Sequence, residues 1–308
     1  MRGVRMSLRD RFVVSVPATS ANLGPGFDSV GLALDLRARA IVEPAHRFSL
    51  EFSGPQRPTH PGFEGMLLDA MRTVSSELPR ARVHLNNAIP LGKGLGSSAA
   101  ASALGISIAA RAHGLELTRD DVAERVCELE GHPDNALPAV YGGIVIATCA
   151  RAHVKIAAPR DLHAIVVVPD FELATERARA LLPTHYEKAD AVFNIQRAAL
   201  LGAALASGSW NVLREAMNDR IHQPYRANVV PGLAGALAVD SPQLIGLALS
   251  GAGPSVLALV HGGVAWRPIA ARIAACFEAA GIVARSYRLP FAARGLVSRR
   301  YLTERKAA

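Results

Sequence analysis

Pro90-Leu-Gly-Lys-Gly-Leu-Gly-Ser-Ser-Ala-Ala-Ala101 is the stretch on which the reading of this chain turns. Gly92, Gly94 and Gly96 leave the backbone free to adopt conformations that a side chain forbids. Ser97 and Ser98 follow, and then an alanine-rich run with high helix propensity. A glycine loop that ends at a helix N-terminus presents unpaired N–H groups and the positive end of the helix dipole, which suits a chain of phosphates. The competing reading is a tight turn whose glycines only let the helix pack closely. No G-x-x-x-x-G-K-[ST] spacing is present, because Lys93 lies between the glycines, and the spacing is not G-x-G-x-x-G either. The signature set of protein kinases is also missing. The loop therefore belongs to another phosphate-binding class.

The 308 residues suffice for one large or two medium domains. Half are apolar and 19% are charged, the balance of a folded globular protein. The net charge of +8 suits anionic small substrates as well as nucleic acid. Basic residues are spread along the chain, dense only at Arg2/Arg5/Arg9 and Arg299-Arg300, and no basic–aromatic block offers a base-stacking platform. No nucleic-acid partner is expected. Cys127, Cys149 and Cys276 are odd in number and widely spaced, which fits a reducing, cytoplasmic setting better than disulfides or zinc. The N-terminal residues lack an apolar segment of the secretory kind, and Met6 is a second candidate start. The uncharged run 94–110 is too short and too polar for a membrane span, and none is expected.

Patterning predicts strands over 12–16, 30–42, 81–86 and 144–149, with a polar loop over 17–27. Helices are predicted over 65–78, 97–112 and 119–130, the last opened by Thr118 with Asp121 three residues on. Beyond Arg151 the pattern restarts: strands over 163–168, 244–249, 256–260 and, last, 282–287, with helices over 175–181, 187–206 and 266–279. Strands and helices without strict alternation indicate an α+β fold in two lobes, divided as 1–155 and 156–308.

Three glycine-rich polar segments, 17–28, 90–101 and 250–255, interrupt otherwise apolar elements. Together they resemble the GHMP kinases, a family of small-molecule kinases. Pro90 to Ala100 matches the family's P-x-x-x-G-L-G-S-S-A-A loop throughout, and Leu249-Ser-Gly-Ala-Gly-Pro-Ser255 is similar to its C-terminal glycine motif. Within the family, Pro17-Ala-Thr-Ser-Ala-Asn-Leu-Gly-Pro-Gly-Phe-Asp28 and Glu130-Gly-His-Pro-Asp-Asn135 resemble the homoserine kinase branch, as does Tyr225-Arg226. The resemblance implies a ribosomal-protein-S5-like N-terminal lobe and a ferredoxin-like C-terminal lobe. It also implies transfer of the ATP γ-phosphoryl group to the side-chain hydroxyl of L-homoserine with Mg²⁺, as in threonine biosynthesis. Members are often dimers, and a homodimer is carried as an expectation. The alternatives are a relative acting on a mevalonate-like or sugar alcohol, and a non-catalytic nucleotide sensor of the same fold.

The roles implied for single residues each have a bland competitor. Pro90, Leu91, Gly92, Lys93, Gly94, Leu95, Gly96, Ser97, Ser98, Ala99 and Ala100 make up the ATP loop, with Lys93 read as a solvated lysine rather than an essential one. Ser98 and Glu130 are assigned to the metal; one of Ser97 and Ser98 is expected to cap the helix instead. Asp134 is placed against the substrate hydroxyl, its competitor being a turn or capping role. On the substrate side stand Asn22, Asp28, His132, Asn135, Thr175, Arg179, Arg226, Ser250 and Gly251. Arg179 and Arg226 would grip the homoserine carboxylate and Asp28 its ammonium. Their competitors are surface arginines and turn residues, and for Gly251 a hairpin turn.

Overall fold

The computed structural model describes residues 10–55 and 62–301. Arg2, Arg5, Arg9 and Met6 lie outside the described residues.

The first lobe is built on two long neighbouring strands, β1 (Phe12–Ala21) and β2 (Val30–Pro44). The sheet continues through β4 (Ala81–Asn87) to β3 (Ser49–Ser53), which pairs parallel with β4. β5 (Ile144–Ala147) pairs with the start of β2, and β6 (His153–Ile156) with β5. The β1–β2 register slips where Pro17 faces Arg37 and Ala18 faces Leu34, so Asp35 and Leu36 bulge out. That bulge lies between the part of β2 that pairs with β5 and the part that pairs with β4.

Four helices belong to this lobe: α1 (Gly62–Arg72), α2 (Ser97–Ala112), α3 (Arg119–Glu130) and α4 (Pro133–Tyr141). α2 is buried on nearly every side, which explains why its sequence is alanine, small and uncharged until its last turn. At Gly105 the α1 backbone comes so close that a Cβ would strike the Leu67 carbonyl. Thr118 caps α3 in a reciprocal box with Asp121, as its sequence predicts.

The second lobe starts at β7 (Leu162–Pro169) and continues through α5 (Thr175–Ala180), α6 (Lys188–Ser207), α7 (Leu213–Ala216), α8 (Gln223–Ala227) and α9 (Leu233–Leu237). It then forms β8 (Gly246–Leu249), β9 (Val256–His261), α10 (Trp266–Glu278) and β10 (Ala284–Pro290). Its four strands form an antiparallel sheet in the order β10-β7-β9-β8. Ile165, Val167, Val256 and Phe277 seal α10 onto it. Burying a side chain of this size contributes about 1.5–3 kcal/mol.

The α+β division into two lobes is therefore what the chain adopts. Several local expectations need correction. Strand β1 runs on through Pro17 to Ala21, so the polar loop is confined to 22–29. Helix α1 stops at Arg72, and β3 and β6 have no counterpart in the patterning. The strand at 282–287 is not the last one. After β10 the chain crosses back, and β11 (Val297–Arg300) pairs antiparallel with β1 in the first sheet.

Candidate active site

The end of β1, the N-terminus of α2, the start of α4 and the 250–255 turn converge on one cavity of about 330 Å³. The phosphate loop forms one wall. Gly96 is the N-cap of α2, in the left-handed region at φ 64°, and no side chain caps the helix. Neither Ser97 nor Ser98 is therefore the cap: both lie inside the first turn, and the α2 N–H groups face the loop uncapped. A Cβ at Gly96 would collide with the Thr19 hydroxyl, and one at Gly94 (φ 74°) with the backbone of Ser250 and Gly253.

The loop is braced from both lobes. Ser250 Oγ, which has a single proton, donates it to the Gly94 carbonyl at 2.7 Å, leaving the Ser20 hydroxyl, 2.8 Å away, as donor to Ser250. Lys93 is not a solvated lysine. Its side chain is only 12% exposed, and its ammonium donates to the Phe171 carbonyl at 2.9 Å with Asp170 at 3.4 Å. It thus ties the loop to the segment after β7. Pro90, Leu91 and Lys93 line a second cavity of about 740 Å³, and Gly92, Ser97 and Met66 border both. The two spaces meet at the positive end of α2, as a nucleotide with its phosphates toward the smaller one requires. Leu95, Ala99 and Ala100 line neither cavity; they are core residues that hold α2 in place.

Ser98 Oγ donates to Glu130 Oε1 at 2.6 Å, where α2 meets the last turn of α3. Burial pushes the Glu130 carboxyl above the usual carboxylate range, against the hydrogen bond from Ser98. A half-buried carboxylate beside a hydroxyl, both on the cavity wall, is an all-oxygen donor pair that a small divalent cation fits.

Asp134 is buried in the first turn of α4, behind Pro133. Its Oδ1 lies 2.5 Å from His132 Nδ1, and that hydrogen bond holds the imidazole above its ordinary pKa despite burial. Asn135 Nδ2 reaches the same Oδ1 at 3.4 Å, while its own oxygen accepts from Thr19 at 2.7 Å. Among the described residues no group pairs with Asp134 Oδ2.

Opposite stand the substrate-side candidates. Asn22 works within the protein: its amide donates to Gly251 O at 3.0 Å and its oxygen accepts the Asp28 N–H. Asn22, Leu23 and Asp28 all have positive φ, a concentration of left-handed backbone that marks this loop as strained. Asp28 and Arg179 form a two-point pair with each other, and Thr175, at the start of α5, lines the cavity beside them. One donor atom each from Asp28, His132 and Asp134 lies within 4.8 Å of the others. Arg226 is no surface arginine. It is buried, its Nη1 donates to Gly251 O at 3.1 Å, and desolvation lowers its pKa to about 10. Ser250 and Gly251 belong to the β8–β9 hairpin turn, closed by Ser250 N to Ser255 O at 2.8 Å, so the turn and the site floor are one feature.

Thr19, Ser20 and Phe27 stand inside the 17–28 motif without a role assigned from sequence, and His222 lies outside the motifs altogether. Phe27 lies under both guanidiniums, 5.4 Å from Arg179 and 5.5 Å from Arg226. His222 lies four residues before Arg226, and that spacing at the head of a helix is the signal the sequence holds for it.

Residues 65–143 match the model of the GHMP kinases N terminal domain. A protein of Solibacter usitatus named homoserine kinase is 43% identical over 263 residues, 82% of this chain and 86% of its own length. One of the same name from Desulfitobacterium hafniense is 39% identical over 90% of this chain and 96% of its own. The crystal structure of homoserine kinase from Cytophaga hutchinsonii superposes with a TM-score of 0.78 at 26% identity, covering 96% of this chain and 99% of that one. Likeness of this extent, on a chain whose phosphate loop and substrate-side motifs share one cavity, places it in a single family: the chain belongs to the homoserine kinases, within the GHMP kinases.

Proposed function

We infer that this chain is a homoserine kinase that transfers the γ-phosphoryl group of ATP to the side-chain hydroxyl of L-homoserine, giving O-phospho-L-homoserine and ADP. One observation carries the reading: the uncapped end of α2 and the buried carboxylate of Asp134 face the same small cavity, with the buried Arg226 across from them. A sugar acceptor gives no use to a buried cation at that position, a mevalonate-like acceptor gives none to the Asp28 carboxylate as an ammonium partner, and a sensor gives none to Asp134.

In this reading the N–H groups of the loop and of α2 hold the phosphates, and the 740 Å³ cavity takes the nucleoside. Ser98 and Glu130 hold Mg²⁺, which when bound neutralises phosphate charge. Asp134 Oδ2 accepts the hydrogen bond of the homoserine hydroxyl and aims its oxygen at the γ-phosphorus, while His132 and Asn135 fix the carboxylate from Oδ1. Arg226 takes the substrate carboxylate, and the Asp28 carboxylate takes its ammonium. Residues 1–155 supply the phosphate loop, and the lobe within 156–308 completes both cavities, with Asp170 and Tyr287 on the larger and Thr175, Arg179 and Arg226 on the smaller. No helix among the described residues is long and apolar enough to cross a membrane. A cytoplasmic homodimer acting in threonine biosynthesis completes the proposal.

The test is ADP release with Mg-ATP and L-homoserine, L-serine, L-threonine, mevalonate or galactose. Homoserine should exceed the others by far, and Asp134→Asn should lower kcat by about 100-fold or more. Turnover confined to another alcohol would overturn the substrate assignment, and ATP binding without turnover would favour the sensor.

A further inference from the structure

Arg226 donates from Nη1 to Gly251 O at 3.1 Å and to His222 Nδ1 at 3.0 Å, and from Nε to Ala178 O at 3.4 Å. No group among the described residues pairs with its Nη2, and the residue lines the 330 Å³ cavity. A guanidinium only donates, so His222 Nδ1 is the acceptor and the ring proton is on Nε2. From there it is donated to Gly24 O at 2.8 Å. The ring is fully buried and stacks on Phe27 at 5.2 Å between centroids. Asp219 Oδ2 accepts the backbone N–H of His222 at 2.9 Å and that of Gln223 at 2.7 Å. Gln223 Oε1 accepts in turn from Leu249 N, at the end of β8. A neutral imidazole therefore bridges the strained 22–28 loop and the one buried guanidinium of the site.

We propose that His222 is a positioning residue for the homoserine carboxylate: its Nδ1 fixes Arg226 Nη1, which turns the Nη2 edge toward the substrate, while Nε2–H anchors the loop bearing Asp28. This rests on the reading of Arg226 as the carboxylate partner. The role differs from that of a core histidine because the two ring nitrogens have separate duties, which two variants separate. Asn at 222 offers an oxygen close to the place of Nδ1 but is too short for Gly24. Gln offers a nitrogen near the place of Nε2 but no acceptor beside Cβ.

The experiment measures kcat, KM for homoserine and KM for ATP in wild type, His222→Asn, His222→Gln and Arg226→Gln, with thermal melts of each. His222→Gln should raise KM for homoserine about tenfold, with kcat and KM for ATP within about threefold. His222→Asn should keep KM for homoserine within about threefold while melting at a lower temperature. Equal rises of KM in both variants, or a fall in kcat alone, would overturn the proposal. Arg226→Gln separates the two levels. If it leaves KM for homoserine unchanged, the carboxylate reading fails. If it raises KM and His222→Gln does not, the positioning role alone fails. Nitrogen NMR of the unsubstituted protein gives a check that needs no variant to fold: His222 must be the neutral Nε2–H tautomer at neutral pH, and either the other tautomer or an imidazolium would refute the assignment.

Discussion

Asp28 and Arg179 face each other across the mouth of the cavity as a two-point ion pair, Nη1 to Oδ2 and Nη2 to Oδ1, each 2.8 Å. The carboxylate expected to meet the substrate ammonium and one arginine expected to meet its carboxylate are thus each other's partners. Both side chains remain partly exposed, so the pair contributes little to stability, about 1 kcal/mol at most. Asp28→Asn keeps a residue type that tolerates the positive φ of 55° at this position. It should raise KM for homoserine about tenfold with kcat little changed, and shift the melting temperature hardly at all. Steady-state kinetics with a parallel melt decide it; a large loss of stability without a change in KM would make Asp28 a turn residue only.

Glu130→Gln replaces a half-buried carboxylate that desolvation already pushes toward its neutral form. The fold should tolerate it. Turnover should fall by about 100-fold and require more Mg²⁺, while ATP binding weakens only a few-fold. Magnesium titrations at saturating homoserine, beside ATP binding followed calorimetrically, check this. Equal losses of turnover and of ATP affinity would count against a metal role.

Two glycines of the loop should respond differently to alanine. At Gly94 a Cβ meets the backbone of the 250–255 turn in addition to the strain of a positive φ, whereas at Gly92 it meets open space. Gly92→Ala should therefore cost about 1 kcal/mol and Gly94→Ala about 2 kcal/mol or more, with a rise in KM for ATP in the second. Denaturant titration of both variants reads the difference. Equal costs would mean that the loop does not pack on the hairpin.

Burial pushes the His222 imidazole below its ordinary pKa, mainly by desolvation, with Arg226 adding to the shift and Asp219 opposing it. The unfolded chain titrates near 6.5, so folding favours the neutral ring. Its contribution is complete above about pH 6.5 and is lost as pH falls toward the depressed folded value. His132 has the opposite sign: raised by Asp134, its contribution is present at acid pH and fades as pH rises through the folded value. Melting temperatures of wild type and His222→Asn should therefore converge below about pH 6.5. A gap that stays constant down to pH 5 would show that the ring does not titrate with folding.

What the residues disclose depends on whether an element announces itself locally. Helix α3 does, through the Thr118/Asp121 box, and α2 does, through small residues that match its complete burial. β11 does not: Val297-Ser-Arg-Arg300 is mostly exposed and carries no apolar pattern, so only its hydrogen bonds to β1 make it a strand. β6 is hidden for the same reason at the other margin of the sheet. In the site, the glycine loop and the carboxylates at 130 and 134 are legible because spacing and residue type carry their chemistry. The burial of Arg226, the latch made by Lys93 and the ring of His222 are not, since each depends on a partner far along the chain. Even the helix cap passes from two serines to Gly96, because both serines lie inside the first turn, where Ser98 donates its hydroxyl proton to Glu130.

The return of the chain to β1 has a consequence for the whole molecule. Phe12 lies opposite Arg300, so the second lobe is inserted between the first lobe and its own closing strand. Severing the chain after β10 would release no self-sufficient half: it would bare the hydrogen-bonding edge of β1, the strand whose far end carries Thr19 and Ser20 into the site. Melting should accordingly take both lobes together, as one transition.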